Sequence, residues 1–140
     1  MKAESIKLPR RVVVDASFIL SHLLPDEDRP IVEKIFDLYT QGKVLFIASV
    51  ILPFEVVNSI KVAYARKRIP LNLARKLVQL FSRLEIFLEA VPIANVFDLA
   101  TNEKLSVYDA CYLSLARKHK NYLLTLDKDL SRYSKVKLLN

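Results

Sequence analysis

Four carboxylates stand where an α/β protein usually does its chemistry: Asp15, Glu55, Asp109 and Asp127. The first directly follows Val12–Val14, three β-branched residues that predict a strand buried on both faces. The last follows the apolar segment Tyr122–Leu126, and the other two fall in the first turns of predicted helices. Ligands of open α/β sheets bind beyond the carboxyl ends of the strands. We therefore expect the four acids at one edge of the sheet.

Their neighbours are apolar, as in Leu52–Val57 and Val107–Cys111. Converging carboxylates in such surroundings repel each other unless a cation joins them. An acidic, water-filled site suits Mg²⁺ or Mn²⁺, which keep several waters and also hold phosphate oxygens. The histidines, His22 and His119, are far apart in sequence, and Cys111 is the single cysteine, so the sequence argues against a zinc site.

Each acid also has a structural interpretation. Asp15 could cap a helix or form a turn, and Asp127 could be a turn residue. Glu55 and Asp109 would each stabilise a helix N-terminus, by roughly 0.3–1 kcal/mol, whatever their function. Taken singly, such acids are more often structural, and only their convergence at one edge favours a functional site.

Apolar runs and helical periodicities alternate along the chain. The predicted strands are Val12–Val14, Val44–Ala48, Ile86–Leu88, Tyr122–Leu126 and a final edge strand, Val136–Leu139. The predicted helices run from Pro30 to Gly42, from Pro53 to Arg68, from Leu71 to Leu84, from Ile93 to Lys104 and from Ser106 to about His119, with short helical turns at Phe18–Leu24 and Lys128–Tyr133. This alternation predicts one α/β domain over residues 1–140 with a mostly parallel sheet, preceded by a polar lead-in at residues 1–11.

Composition narrows the function. The net charge of +7 favours an anionic partner, and the segment from Lys61 to Arg83 holds seven cations and no acid, which favours phosphate contacts. The single glycine, Gly42, excludes a glycine-rich nucleotide-binding loop. No apolar run is long enough to span a membrane, and the N-terminus does not have the pattern of a signal peptide. With one cysteine, a cytoplasmic protein is expected.

The sequence resembles the PIN domain family, in particular the VapC-type toxins of VapBC toxin–antitoxin pairs. The resemblance is carried by four short motifs in order: Val-Val-Asp-Ala-Ser at 13–17, Glu-Val-Val-Asn at 55–58, Ser-Val-Tyr-Asp-Ala-Cys-Tyr-Leu at 106–113 and Leu-Leu-Thr-Leu-Asp at 123–127. Each motif is weak alone, but together they are specific. The resemblance implies a three-layer α/β/α domain with a central sheet of about 4–5 strands and the activity of a metal-dependent endoribonuclease.

The resemblance also assigns roles to residues. Asp15, Glu55, Asp109 and Asp127 would be the catalytic and metal-binding acids, with Mg²⁺ or Mn²⁺ as the cofactor. Ser17, Asn58 and Thr125 would be polar supports, and Asp129 a helper or substitute for Asp127. Water activated by an ion held chiefly by Asp15 and Asp109 would attack the RNA phosphodiester. A second ion near Glu55 or Asp127 would steady the leaving oxygen, and the sequence leaves open whether one or two ions act.

RNA must be brought to a negatively charged cleft, which requires cations. The first candidates are Arg66, Lys67 and Arg68, at the end of the helix that carries Glu55, and the second are Lys104, Arg117, Lys118 and Lys120. The expected protein partner is a cognate antitoxin that lays a C-terminal segment across the cleft and presents a basic side chain. The apolar stripe of helix 71–84 could form a homodimer interface or only part of the core.

Two other functions remain open from the sequence. The same nuclease could serve RNA maturation, or the acidic pocket could bind a cation or a basic peptide without catalysis.

Overall fold

The computed structural model describes residues 6–139 of the chain. Its sheet has four strands, all parallel, in the order β3-β2-β1-β4. The strands are β1 (Arg11–Val14), β2 (Leu45–Ser49), β3 (Ile86–Glu89) and β4 (Leu123–Leu124). The mostly parallel α/β sheet predicted from the sequence is therefore confirmed.

Seven α-helices connect and follow the strands in the described residues. They are α1 (Ala16–Leu23), α2 (Pro30–Thr40), α3 (Leu52–Ala65), α4 (Leu71–Ser82), α5 (Ile93–Glu103), α6 (Val107–Lys118) and α7 (Lys128–Ser131). Parallel crossovers are right-handed, and the chain moves outward from β1 to β3 before returning to β4. Helices α1–α4 consequently cover one face of the sheet and α5–α6 the other, which gives three layers.

The centre of the sheet carries the core. Val12, Val13 and Val14 of β1 are fully buried between the two helical layers, as expected for a central parallel strand. Phe46 of β2 stacks on Tyr39 and packs edge-on against Phe18, which attaches α1 and α2 to the sheet. This packing fixes the carboxyl ends of the strands, where the candidate acids begin.

The predicted edge strand Val136–Leu139 is wrong, because residues 136–139 do not form a strand. The hydroxyl of Ser134 donates to the carbonyl of Leu123 and accepts from the amides of Leu123 and Val136. This turn takes hydrogen-bonding groups that a further strand would need. β4 is also shorter than predicted, because Thr125 does not continue the strand pairing with β1.

Other boundaries agree closely with the sequence. Gly42 ends the region of α2 with a φ of 74°, the left-handed conformation expected after that helix. The segment predicted as a short helical turn, Phe18–Leu24, forms most of the helix α1 together with its C-terminal cap, Leu24. The predicted lead-in, residues 1–11, lies partly outside the described residues. No helix within residues 6–139 has the length and apolar character needed to cross a membrane.

Candidate active site

Asp15 lies at the exit of β1 and begins α1. Its backbone is extended (φ −108°, ψ 179°), and its Oδ1 accepts a hydrogen bond from the amide of Phe18 at 3.0 Å. The carboxylate therefore caps α1, as the structural interpretation of this residue allowed. It is also only 3% exposed, which is unusual for an acid and makes its other partners important.

Those partners are two hydroxyls from opposite ends of the sequence. Ser17 Oγ donates to Asp15 Oδ1 at 2.7 Å, and Thr125 Oγ1 donates to Asp15 Oδ2. The same hydroxyls accept from the backbone of the segment after β4: Ser17 Oγ from the Leu126 amide at 2.8 Å, and Thr125 Oγ1 from the Asp127 amide at 3.0 Å. The network thus joins the carboxyl ends of β1 and β4 around one buried carboxylate.

Burial, with a smaller contribution from the nearby charge of Asp127, raises the pKa of Asp15 from 3.8 to about 6. The hydrogen bonds from Ser17, Thr125 and Phe18 oppose this rise because they favour the charged form. The negative charge of Asp15 is therefore unfavourable in this buried position, even though the carboxylate is hydrogen-bonded.

Glu55 lies in the first turn of α3, after Pro53. Its Oε1 accepts a hydrogen bond from the hydroxyl of Tyr112 at 2.5 Å. Tyr112 is a buried residue of α6, so this bond connects helices on the two faces of the sheet. Burial and then the bond to Glu55 raise the pKa of Tyr112, which keeps its hydroxyl protonated as the donor.

Asp109 lies in the first turn of α6, where its amide donates to the capping hydroxyl of Ser106 at 3.0 Å. Burial of its half-buried side chain raises its pKa, and so do the negative charges of Asp127, Glu55 and Asp129. Carboxylates from three further positions of the chain therefore act electrostatically on this one side chain.

Asp127 caps the short helix α7. Its Oδ1 accepts from the amides of Asp129 and Leu130, at 2.8 and 3.1 Å. Asp127 therefore makes the contacts expected of a turn or cap residue. Its negative charge also raises the pKa values of Asp15 and Asp109. The side chain of Asp129 is exposed.

The four candidate acids are electrostatically coupled, but their side chains do not form a finished metal cage. Within residues 6–139, no group of three or more His, Cys, Asp or Glu side chains lies close enough to hold a metal ion. Several carboxylate oxygens already accept the hydrogen bonds described above. The donor set nevertheless fits a hard divalent cation, because it consists of carboxylates and because a positive charge would lower the raised pKa values of Asp15 and Asp109.

Tyr112 is a candidate functional residue that the sequence did not predict. A signal was nonetheless present, because Tyr112 is three residues after Asp109 and so shares its helix face. By contrast, Asn58 is an exposed residue of α3, and the hydrogen bonds of the described residues include none from its side chain.

Most of the predicted RNA-binding cations lie away from the acids. Eleven residues of helix separate Glu55 from Arg66, about 16 Å along the axis of α3. Arg66 and Lys67 are exposed there, and Arg68 forms ion pairs with Asp26 and Glu27 at 2.8 and 2.7 Å.

The later candidates are divided between the two ends of α6. Lys104 ends α5 in a left-handed conformation, only five residues before Asp109. Arg117 pairs with Glu103 at 3.4 Å, and Lys118 pairs with Glu89, both near the far end of α6.

The apolar stripe of α4 contributes chiefly to the core. Leu77 is buried, and Leu73, Phe81 and Leu84 pack partly buried against the main core, whereas Leu80 is 40% exposed. The stripe was predicted to form either a homodimer interface or this core, and its buried members belong to the core.

Comparisons with known proteins agree with this architecture. The model of the PIN domain family matches residues 12–136. Ribonuclease VapC3 of Pyrobaculum aerophilum is 30% identical over 125 residues, which cover 86% of this chain and 92% of the relative.

Solved structures show the same fold at lower identity. The crystal structure of PAE2754 from Pyrobaculum aerophilum superposes with a TM-score of 0.67 at 20% identity, covering 94% of this chain and 90% of the other. VapC20 of Mycobacterium tuberculosis, described as a sarcin-ricin loop cleaving toxin, superposes with a TM-score of 0.61 at 16% identity, covering 92% and 99%.

Proposed function

The chain belongs to the PIN domain family, and from this premise we propose that it is a metal-dependent endoribonuclease, the toxin of a toxin–antitoxin pair. The observation that carries the proposal is the electrostatic coupling of carboxylates from four separate elements. Charges of Asp127, Glu55 and Asp129 raise the pKa of Asp109, and that of Asp127 raises the pKa of Asp15. Such mutual repulsion is costly unless a cation offsets it.

In this proposal, Asp15, Glu55, Asp109 and Asp127 hold Mg²⁺ or Mn²⁺. The cation, when bound, would supply Lewis-acid chemistry for the attack of water on an RNA phosphodiester. Ser17 and Thr125 orient the Asp15 carboxylate through the hydrogen bonds from their hydroxyls. Tyr112 holds Glu55 in one orientation by donating to Oε1. Because these donors come from buried or half-buried side chains, they restrict the acids before any substrate arrives.

We further propose that a cognate antitoxin covers the acids. Two aromatic side chains beside them project into solvent: Phe54, next to Glu55, is 79% exposed, and Tyr108, next to Asp109, is 61% exposed. Exposed apolar residues around charged groups are typical of protein-binding sites. A peptide with apolar side chains and one basic group would cover the aromatic rings and neutralise the acids.

A homodimer remains a proposal. The exposed part of the α4 stripe, at Leu80, would supply only a small area, so sedimentation of the purified protein is the appropriate test. An equilibrium mass equal to that of one chain at micromolar concentration would contradict the dimer.

The direct test of the nuclease is cleavage of end-labelled RNA by the wild type and by Asp15→Asn. Cleavage should require Mg²⁺ or Mn²⁺, stop with EDTA and be absent in the variant. Asp37→Asn provides the control for loss of one negative charge, since Asp37 is an exposed acid on α2. Cleavage that survives EDTA or Asp15→Asn would refute the mechanism, and a cation or peptide bound without any cleavage would favour the non-catalytic alternative.

The toxin assignment has its own test. Co-expression of a small protein encoded beside this chain should abolish RNA cleavage and restore growth of cells that express it. A chain that cuts one precursor RNA without affecting growth would favour RNA maturation instead.

A further inference from the structure

A groove at the amino ends of the strands, opposite the acids, is lined mainly by cations. It lies between the segment Pro9–Arg11 and the end of α6, and its lining includes Arg10, Arg11, Lys118 and Lys120. All four are exposed. We call this surface the basal groove. Arg11 is four strand residues from Asp15, about 13 Å along β1, and Lys118 is nine helical residues from Asp109, also about 13 Å.

The basal groove is a fixed surface. Arg10 donates from Nη1 to the carbonyl of Gly42 at 3.0 Å, and its own carbonyl accepts from the amide of Leu45 at 2.6 Å. On the other wall, Lys120 has a left-handed backbone (φ 61°) in the turn after α6. One wall is thus held by the backbone and the guanidinium of Arg10 and the other by the turn at Lys120, while Arg11 and Lys120 stay exposed.

The charge of the groove is positive even after its internal ion pairs are considered. Among the described residues that line it and the adjoining depression, Glu89 is the only acid, and it already pairs with Lys118 and His119. Arg10, Arg11 and Lys120 remain as three cations within one concave surface. Such an arrangement favours a partner with closely spaced negative charges.

The adjoining depression adds an aromatic platform. It shares Arg11 and His119 with the basal groove and is lined further by Phe87 of the edge strand β3. Phe87 is 59% exposed. Cations along a groove together with exposed aromatic rings are the combination that binds single-stranded nucleic acid, with phosphates on the cations and bases on the rings.

We propose that the basal groove binds a segment of the RNA distant from the bond that is cut. This inference rests on the proposed ribonuclease function for the identity of the partner, but not on catalysis. It explains why Lys118 and Lys120 lie at the end of α6 opposite Asp109. A strand long enough to pass around the domain would contact both regions, whereas a very short RNA would reach only one.

The test is RNA binding, measured by fluorescence anisotropy in the non-cleaving Asp15→Asn background. The probes are an RNA of about 20 nucleotides and one of about 4 nucleotides. The groove variant combines Arg10→Gln and Lys120→Gln, and its control combines Arg29→Gln and Lys34→Gln, which removes the same charge from an exposed part of the α2 region.

Each phosphate contact of a single strand contributes a salt slope of about 0.7, equivalent to about 5-fold in affinity at 0.1 M salt. The groove variant should therefore bind the longer RNA about 10- to 30-fold more weakly than the control does, with a salt slope shallower by about 1.4. Equal affinities of the groove variant and its control would overturn the proposal, and so would an equal loss in both.

Substitutions of Phe87 distinguish RNA from a protein partner as the molecule that binds here. Phe87→Ala should weaken binding of the longer RNA about 5- to 100-fold, and Phe87→Leu should restore little of it because stacking requires a ring. Unchanged RNA affinity, together with an altered sedimentation coefficient, would show a protein interface and refute the proposal. Since binding is measured without cleavage, an inactive wild type would refute the nuclease and leave the groove supported by its own result.

Discussion

Asp15 should lower the free energy of unfolding of the metal-free protein at neutral pH, and Asp15→Asn should restore the lost stability. Burial raises the pKa of this carboxyl from 3.8 to about 6. The native state then binds a proton more tightly than the unfolded chain, so stability falls as the pH rises from about 4 to about 6. At about 1.4 kcal/mol for each pKa unit, the free energy of unfolding should decrease by about 3 kcal/mol across this window because of Asp15 alone.

The variant isolates this contribution. An asparagine can accept from Ser17 and Phe18 through its oxygen and donate to Thr125 Oγ1 through its amide, so it keeps the contacts of the protonated acid. Below pH 4 the two proteins should be equally stable, and at pH 7 the variant should be more stable by about 3 kcal/mol. Other titrating groups cancel when the two are compared at each pH.

Urea unfolding in EDTA, followed by circular dichroism from pH 3.5 to pH 7.5, measures the difference. Asp37→Asn is the matched control for loss of an exposed carboxylate. A stability difference between Asp15→Asn and the wild type that is constant across this pH range would refute the reasoning. So would a variant that is less stable than the wild type at pH 7.

Three further predictions concern the same site. Tyr112→Phe removes the hydroxyl that orients Glu55 and should lower kcat about 10-fold with little change in KM, at a cost of about 1 kcal/mol in stability; an unchanged kcat would show that this bond only supports the fold. Thr125→Val leaves Asp15 Oδ2 and the Asp127 amide without their hydroxyl partner and should cost about 1–3 kcal/mol in urea unfolding, whereas Thr125→Ser should cost less; equal losses in both variants would point to packing of the methyl group. Mn²⁺ at 100 times its dissociation constant should stabilise the wild type by about 2.7 kcal/mol in calorimetry and leave Asp15→Asn unaffected; equal stabilisation of both would place the ion elsewhere.

The sequence predicted the central elements well because their signals are local. The uninterrupted apolar runs of β1 and β2 and the proline and glycine boundaries of α2 and α3 are visible in short windows. The prediction of a strand in the final segment is wrong for a physical reason. Val136–Leu139 has a strand-like composition, but the hydroxyl of Ser134 bonds to the backbone of Leu123 and Val136, and this tertiary interaction has no local signature.

The candidate site likewise combines features that local sequence signals predict with contacts that only the tertiary structure shows. The positions of the acids at strand exits and helix starts follow from the alternation of elements. The contact of Thr125 with Asp15 joins residues 110 positions apart, and the bond from Tyr112 to Glu55 joins residues 57 apart. The family resemblance implied supporting roles for Ser17 and Thr125, but it did not imply one for Tyr112. Only the packed helices reveal that its hydroxyl reaches an acid on the other face.

The positions of the basic side chains in the fold are the feature that depends most on the three-dimensional structure. A run of basic residues indicates a preference for phosphate, but helix length decides where that charge lies. α3 and α6 each carry an acid in the first turn and cations at or just beyond the C-terminal end, so these charges are separated by the length of the helix. The resulting polarity, with the candidate acids at one end of the sheet and most of the predicted RNA-binding cations at the other, cannot be seen in composition.

An anomalous difference map from crystals of this protein soaked in Mn²⁺ would test the central claim most directly. A shared cation predicts a peak bounded by the carboxylates of Asp15, Glu55, Asp109 and Asp127, and no such peak in crystals of Asp15→Asn. A map without a peak among these carboxylates at saturating Mn²⁺, or an equal peak in the variant, would contradict the account.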